Sequence, residues 1–419
     1  YFVRNIRVEF GTTLVHSRKI SIRAMIEMEV GCENLIEEET AVDLESSASI
    51  YKKQKPVNLL KLHTAKKDTY RIKEEITIPG TKESIGQVLL TDITGRKLEV
   101  RAAQDELLLR GELQIFCMYL SEEGKTDWLE QSVPYEGRIE CSGATEGMYY
   151  DVQHALEDTL ADVRMDEDGE MRIIGIEGTV SLRINLYEEE ELNLLEDLYS
   201  LEQKVSYQTR EAVYEELLLQ NQSKCKIVEN LSLPELKDDV LQICHSSGSV
   251  QIEHVETRAE KQGGILIEGI LHVSFLYLKA DDALPFGNWQ GMVPFSYLLE
   301  CPDMPKDVRY QLSNRVEQIS VTMTGSDSVE VKAVLDFDVF LRKEVPMQVI
   351  TEVSLEETDR EELAKKPGIV GYMVKSGDDL WTLAKQYMTT EESIRQINHL
   401  ENGKIKPGDK LIICKEIGM

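Results

Sequence analysis

The sequence predicts mainly β tandem repeats, sandwich- or barrel-like, followed by a small α+β module with the order strand, helix, helix, strand. Two segments, 107–141 and 265–301, carry identical residue types in the same order, and the gaps between them fall where turns are expected. Alternating apolar runs separated by turn signals indicate short strands in both copies. After residue 379 the apolar spacing becomes helical, which predicts the terminal module.

The two copies correspond over a long stretch. The matched pairs are Gly111 with Gly269, Tyr119 with Tyr277, Trp128 with Trp289, Pro134 with Pro294 and Cys141 with Cys301. The match extends upstream, since the apolar alternation of 72–78 recurs in 227–233. In the first copy we predict strands near 85–92, 96–102, 107–120, 128–140 and 148–157. We expect the recurring tryptophans and cysteines to pack in the repeat cores.

Domain boundaries follow from the repeats and from composition. Tyr1–Asn5 aligns with Tyr310–Asn314, and 19–30 alternates like a strand, so the first residues resemble the back half of a repeat. A charged run at 356–366 before Pro367 predicts a linker. The predicted domains are the C-terminal part of a truncated repeat at 1–68, full repeats at 69–222 and 223–350, a charged linker at 351–369 and the terminal module at 370–416.

Local patterns predict the connections between these strands. Thr94-Gly95 and Glu123-Gly124 predict turns. Asp166–Gly169 lies between two alternating segments and predicts a hairpin turn. This interpretation is favoured over an EF-hand calcium loop, because no glutamate closes a loop of the right length. The acidic run 188–191 and the leucines at 192, 195 and 198 predict either a short amphipathic helix or an irregular acidic connector, and we favour a solvated connector.

Composition narrows the partners and the compartment. The formal net charge of −29 predicts a surface that repels nucleic acid and anionic membranes. No apolar run is long enough for a transmembrane helix. Seven cysteines without a CxxC spacing favour a reducing compartment over a disulfide framework.

The sequence carries no motif for catalysis. Its seven histidines show no HxH or HExxH spacing, and no GxSxG elbow is present. The run Gly124-Lys125-Thr126 lacks the earlier glycine of a phosphate-binding loop and predicts a surface turn. We therefore predict no catalytic residues, no metal site, no cofactor and no enzymatic activity.

The terminal module shows helix and strand signals in close succession. Asp378 is predicted to cap a first helix, whose apolar face comprises Leu380, Leu383, Ala384 and Tyr387. Thr389 with Glu392 predicts a capping box for a second helix that carries Ile394 and Ile397. Strands are predicted at 372–374 and 411–413, with a turn at Pro407-Gly408 before the second strand.

This module resembles the LysM family. The residues that carry the resemblance are Tyr372, Val374, Gly377, Asp378, Leu380, Trp381, Ala384, Tyr387, Ile397, Asn398, Ile405, Pro407, Gly408 and Leu411. The resemblance implies a shallow groove that binds N-acetylglucosamine polymers between two loops. Its predicted residues are Gly377, Asp378, Asp379 and Leu380 on one side and Leu400, Glu401, Asn402, Ile405 and Pro407 on the other. Asp379, Met388 and Cys414 depart from the family pattern, and Asp379 adds a carboxylate at the groove lip.

The order of the repeats and the module resembles SipL-type proteins of spore-forming clostridia, whose repeats are called SPOCS domains. The pattern of Trp, Val-Pro-aromatic and Glu-Cys in each repeat carries this resemblance. It implies a non-enzymatic scaffold of spore coat assembly in the mother-cell cytoplasm at the forespore surface. Its LysM domain would bind the coat-basement ATPase, stage IV sporulation protein A, while the repeats would bind other coat proteins or self-associate. The alternative hypothesis is a cell-wall or spore-cortex protein that binds peptidoglycan through the same groove.

Overall fold

The computed structural model describes residues 2–237, 239–259, 261, 263–279, 285–357, 367–400 and 403–416. Its strands are β1 (Phe2–His16), β2 (Lys19–Gly31), β3 (Ile50–Thr77), β4 (Ile85–Ala103), β5 (Glu106–Ser121), β6 (Thr126–Glu140), β7 (Tyr149–Met165), β8 (Met171–Ser200), β9 (Gln203–Ser232), β10 (Val240–Arg258), β11 (Gly264–Lys279), β12 (Phe286–Glu300), β13 (Val308–Met323), β14 (Ser328–Glu357), β15 (Ile369–Met373) and β16 (Lys410–Cys414). Its helices are a 3-10 turn at Pro234–Leu236, α1 (Leu380–Tyr387) and α2 (Glu391–Ile397). The prediction of a mainly β chain with a small α+β end is confirmed.

Each repeat consists of two three-stranded sheets that share one core. The first repeat has the sheets β4-β5-β6 and β3-β8-β7, and the second has β10-β11-β12 and β13-β14-β9. Consecutive strands pair antiparallel in β4-β5-β6, β7-β8, β10-β11-β12 and β13-β14. Apolar residues of β5 and β6 pack with those of β8 in the first repeat, and residues of β11 and β12 pack with those of β14 in the second. Two sheets that face each other over a common core form a sandwich.

The chain divides into two compact units. The first unit comprises residues 1–34, 60–188 and 217–343 and contains both repeat cores. The second comprises 35–59, 189–216 and 344–419. It therefore contains the terminal module together with end portions of β3, β8, β9 and β14.

The acidic segment after residue 188 is a strand, so the expectation of a helix or a solvated connector is wrong. This segment continues β8, and Leu194, Leu195 and Leu198 are buried. Consecutive residues of a strand point to opposite faces. Leu194 packs with Val57 and Leu59, whereas its neighbour Leu195 packs with Ile350 in a separate cluster. Leu198, three residues after Leu195, belongs to that second cluster as well, so strict alternation does not hold along this segment. Apolar residues on both faces therefore obscured the alternation expected of a strand.

Two further predictions about connections need correction. β4 is continuous, and Gly95 pairs with Leu113 inside it, so the turn predicted at Thr94-Gly95 is absent. Instead of a turn, the pairing of β4 with β5 shifts its register between Arg96 and Glu99, as at a β-bulge. Residues 351–357, which were predicted to belong to the linker, continue β14, while 358–366 lie outside the described residues.

The other turns form as predicted. Gly124 has a φ of 79°, a left-handed value that glycine adopts without strain, between β5 and β6. At the hairpin of β7 and β8, the Asp166 carboxylate accepts hydrogen bonds from the amides of Asp168 and Glu170, both at 3.0 Å. This carboxylate satisfies backbone donors of the turn, as is usual for aspartate at such a position.

The cysteines at equivalent repeat positions are buried. Cys141 and Cys301 are free thiols, and burial raises the pKa of each. This confirms that they pack as small apolar residues. Trp289 is half-buried and stacks on Phe275 at the edge of the second core, with a centroid distance of 5.1 Å. Trp128 is also half-buried.

Within the first unit, His245 of β10 joins the second repeat to the first. Its ring stacks on Phe116 with a centroid distance of 4.2 Å. Its Nε2 lies 2.8 Å from Asp92 Oδ2, and its Nδ1 lies 3.6 Å from Glu130 Oε1. Burial opposes the charge, but the hydrogen bonds and charges of the two carboxylates outweigh it and raise the pKa of His245.

We expect this histidine to make the first unit less stable as the pH rises. A folded-state pKa above the unfolded value of about 6.5 adds stability below that pH, and this stability is lost as the pH rises through the folded pKa. His245→Gln should therefore lower the free energy of unfolding by about 1–2 kcal/mol at pH 6 and by less at pH 8. Urea denaturation of both proteins at the two pH values measures the difference. An equal loss at both pH values would contradict a protonated His245 in the fold.

Candidate functional site

The terminal module has the predicted order of strand, helix, helix and strand. β15 and β16 pair antiparallel, with Gly371 opposite Ile412. The apolar face of α1 is buried, as the spacing predicts, and it packs with Ile394 of α2 and with Leu411 and Ile413 of β16. These contacts form one small core beneath a two-stranded sheet.

Both helix caps lie one residue later than predicted. Asp379, not Asp378, caps α1, and its Oδ1 accepts a hydrogen bond from the Thr382 amide at 2.7 Å. Asp378 instead accepts hydrogen bonds from the Tyr372 hydroxyl and the Lys375 amide, and so closes the preceding turn. Two adjacent aspartates can both serve as caps, and the tertiary position of Tyr372 decides between them.

The cap of the second helix shows the same shift. Thr390, not Thr389, caps α2, and its hydroxyl accepts a hydrogen bond from the Ser393 amide at 3.1 Å. Thr389 is fully buried at the end of α1. Two consecutive threonines again left the choice open in the sequence.

The first predicted groove loop begins beside the point where the second one ends. The Gly408 amide donates to the Val374 carbonyl at 2.8 Å, and the Val374 amide donates to the Asp409 carbonyl at 2.9 Å. These bonds bring the start of the first loop to the end of the second. Gly377, with a φ of 94°, and Pro407 are exposed in the two loops.

The other predicted groove residues have different surroundings. Leu380 is buried, and Leu400 and Ile405 are half-buried against the module core. Asp379 is exposed at the helix cap. Glu401 and Asn402 lie outside the described residues. Among the predicted groove residues that the structure describes, the accessible ones are thus mainly backbone and polar groups.

A second face of α1 contacts β8 inside the second unit. Trp381 is buried, although it lies off the apolar face that the helical spacing predicts. Its indole Nε1 donates to Asp197 Oδ2 at 2.8 Å, and its ring meets Tyr199 edge-on at a centroid distance of 4.9 Å. One turn later, Lys385 forms an ion pair with the same carboxylate. The Tyr199 hydroxyl donates to the Thr389 carbonyl at 3.0 Å.

Asp197 is the common acceptor of this contact. It accepts from Trp381, from Lys385 and from the Tyr207 hydroxyl, the last at 2.6 Å. Burial opposes its ionisation, but the donors outweigh burial and lower the pKa of the carboxyl. Burial and the neighbouring carboxylate together raise the pKa of Tyr207 to about 12. An ionised carboxylate that satisfies three donors holds α1 against the strand.

The groove lip also faces the strands. Lys53 of β3 lies 3.6 Å from Asp379 and 3.3 Å from Glu196 of β8. Partial burial opposes the ionisation of Asp379. The hydrogen bond from the Thr382 amide and the nearby Lys53 outweigh burial and lower the pKa of its carboxyl. The carboxylate that departs from the family pattern is therefore charged, and a lysine from outside the module lies beside it.

The outer face of the module sheet is apolar and exposed. Ile369, Met373 and Ile412 have 71%, 58% and 52% of their surface exposed. They surround Gly371, where an added Cβ would meet no atom within 4 Å. Lys375, Lys406 and Lys410 are exposed near the same end of the sheet. An apolar patch with a basic rim is typical of a protein interface.

A cavity of about 520 Å³ lies in the first unit between the two repeats. Arg315 in its wall forms ion pairs with Asp336 and Asp338. Asp151 accepts a hydrogen bond from Asn185 at 3.2 Å, and burial raises its pKa to about 6. These ionisable groups are held by neighbours within the fold, which favours a packing role.

The residues that the structure describes include neither a cluster of metal ligands nor a membrane-spanning helix. No group of three or more His, Cys, Asp or Glu side chains there could hold a metal ion. None of the described helices combines the length and apolar character needed to cross a membrane.

Comparison with known families matches both parts of the chain. The LysM domain model matches residues 372–413. The model described as SipL, SPOCS domain, matches residues 84–165 and 239–324, which cover β4–β7 and the equivalent strands β10–β13. The comparisons with curated proteins and with solved structures found no match.

The matched domains are those of a SipL-type protein, with two SPOCS domains before a C-terminal LysM domain. Both are non-catalytic domain families. Together they indicate a protein related to the spore coat that carries a module of the peptidoglycan-binding type.

We expect the contact between Trp381 and Asp197 to stabilise the second unit. Asp197→Ala removes a charged acceptor from three donors and should lower the free energy of unfolding by about 1.5–3 kcal/mol. In a double-mutant cycle with Trp381→Phe, the coupling energy should be about 1 kcal/mol or more. Native-state hydrogen exchange of the α1 amides measures both, because Trp381→Phe removes a tryptophan of the second unit and the other two, Trp128 and Trp289, lie in the first.

The neighbouring Glu196 supplies a matched control. Its side chain is 47% exposed and pairs with a Lys53 that is 37% exposed. Glu196→Ala should change the free energy of unfolding by less than about 0.5 kcal/mol. A coupling energy near zero between Asp197 and Trp381 would show that the hydrogen bond does not hold the helix.

Proposed function

We propose that this SipL-type chain is a non-catalytic adaptor of spore coat assembly, and that its LysM domain docks on the coat-basement ATPase, stage IV sporulation protein A. The domain order supports the coat assignment. The mother-cell cytoplasm at the forespore surface is the proposed location. The cysteines support a reducing compartment of this kind, because all seven are free.

One observation carries the choice of a protein partner, namely the exposed apolar face of the LysM sheet. A sugar chain is recognised by polar groups and stacked rings in a groove, whereas three exposed aliphatic side chains on a flat sheet suit an apolar protein surface. Ile369, Met373 and Ile412 provide such a face. The surrounding lysines would complement acidic residues at the rim of a partner.

The glycan-binding alternative depends on the groove loops. Exposed Gly377 and Pro407 would let a sugar chain approach the backbone of both loops. The ionised Asp379 at the lip could accept hydrogen bonds from sugar hydroxyls. A protein with this activity would be located in the cell wall or the spore cortex. The two hypotheses therefore assign function to different faces of one module.

The SPOCS domains are proposed as a second protein-binding or self-associating surface. Their ionisable groups at the cavity and at His245 are engaged within the fold. The proposed boundaries remain 1–68, 69–222 and 223–350 for the repeats, with the LysM domain at 370–416. The assignment of the chain as a non-enzyme rests on the same two domain families.

The test is a titration of the whole chain, because α1 is held by Asp197 and Tyr199 from outside the LysM domain. Purified stage IV sporulation protein A and N-acetylglucosamine hexamer are each titrated by calorimetry. We expect binding of the protein with a Kd of about 1 μM or tighter and no heat with the sugar. Ile412→Asp should weaken protein binding by about tenfold or more, since it places a charge in an apolar interface.

Asp379→Asn is the matched variant at the groove. Asparagine caps a helix as well as aspartate does, so α1 should remain folded. On the adaptor hypothesis this variant binds the protein partner with little change. Binding of the sugar to the unchanged chain, and its loss in Asp379→Asn, would instead establish the glycan-binding alternative.

A further inference from the structure

The hairpin of β1 and β2 exposes an apolar face. Even-numbered residues of β2 are all apolar: Ile20, Ile22, Ala24, Ile26, Met28 and Val30. The five larger ones are between 57% and 68% exposed. Four of the alternate positions carry the charged residues Lys19, Arg23, Glu27 and Glu29. A strand with one apolar and one polar face is typical of a sheet that covers a core on one side.

The same face is buried in the second SPOCS domain. At an offset of 309, which also aligns Tyr1 with Tyr310 and Asn5 with Asn314, β2 corresponds to β14. The positions equivalent to the six apolar residues are Val329, Val331, Ala333, Leu335, Phe337 and Val339. These six are between 0% and 3% exposed. The two faces therefore match in chemistry and order, including the single alanine, and differ in burial.

The sheet β10-β11-β12 covers this face in the second domain. Phe337 stacks on Tyr297 of β12 with a centroid distance of 5.6 Å and approaches Phe295 at 6.0 Å. Phe275 of β11 belongs to the same core. In the first domain, β5 and β6 cover the equivalent face of β8 in the same way. In both domains, the covering sheet precedes the hairpin in the chain.

We infer that β1 and β2 are half of a third SPOCS domain, and that a three-stranded sheet equivalent to β10-β11-β12 covers their apolar face. The order of elements in the two complete domains assigns this sheet to a segment that precedes β1 in the natural chain. A strand face of aliphatic residues at β14 spacing fits the interior of such a sheet and not a flat polar partner. The hairpin is thus an interaction surface whose partner is defined by its fold and its chemistry.

Matched substitutions in residues 1–419 test whether the face is open in this chain. Ile22→Lys should leave the Tm within about 2 °C, because the side chain is already in solvent. The equivalent Val331→Lys, which buries a charge, should lower the Tm by about 10 °C or more. Similar losses in both variants would overturn the inference. A dimer in light scattering that Ile22→Lys dissociates would also overturn it, in favour of a second copy as the occupant.

A fusion then tests which partner the face accepts. A second copy of residues 224–309 is joined in front of Tyr1, so that the connection into β1 repeats the connection into β13. We expect amide hydrogen exchange in β2 to slow by about tenfold or more, and Ile22→Lys in the fusion to abolish this protection. Unchanged exchange in a fusion whose added segment is folded, as judged by slow exchange in its own β11 copy, would overturn the inference.

Discussion

The long strands β3, β8, β9 and β14 bury side chains in more than one core, and the architecture depends on this double use. The first part of β8 packs in the core of the first repeat, and its last residues pack in the second unit. Successive side chains of a strand point to opposite faces, so one strand can pack against a different partner on each face. Leu194 and Leu195 are adjacent in sequence and lie in different clusters for this reason.

The same strand determines the surroundings of the LysM domain. Asp197 and Tyr199 come from β8, and they meet Trp381 and Lys385 on a face of α1 that the module does not need for its own core. Trp381 therefore packs against residues of β8 as well as against the core of the module. The contact makes the start of α1 part of a larger folded unit, in which Asp379, a predicted groove residue, lies next to Lys53 of β3.

The distribution of polar groups distinguishes interior from surface. Inside the repeats, ionisable groups lie beside opposite charges, as His245 does beside Asp92 and Glu130, and burial raises the pKa of the Cys301 thiol. At the surface, the outer face of the LysM sheet and the β1–β2 hairpin each expose several apolar side chains. Exposed apolar strands are avoided in isolated proteins, so both faces point to assembly with other sheets or proteins.

The sequence by itself determined the repeats, the module and much of the local structure. The residue pattern shared by 107–141 and 265–301 predicts the duplication, because identical spacing requires identical packing. The helical spacing of Leu380, Leu383 and Ala384 likewise predicts the buried face of α1. Such signals depend only on neighbours along the chain, and they hold wherever one face of an element is buried.

Only the tertiary structure decided the features that depend on distant residues. Gly95 lies within a continuous strand because β5 pairs along its whole length. The acidic segment after residue 188 is a strand whose leucines pack in two separate clusters. The choice of Asp379 over Asp378 as the helix cap depends on Tyr372, and the burial of Trp381 depends on Asp197. Since each of these partners lies elsewhere in the chain, local periodicity carries no information about them.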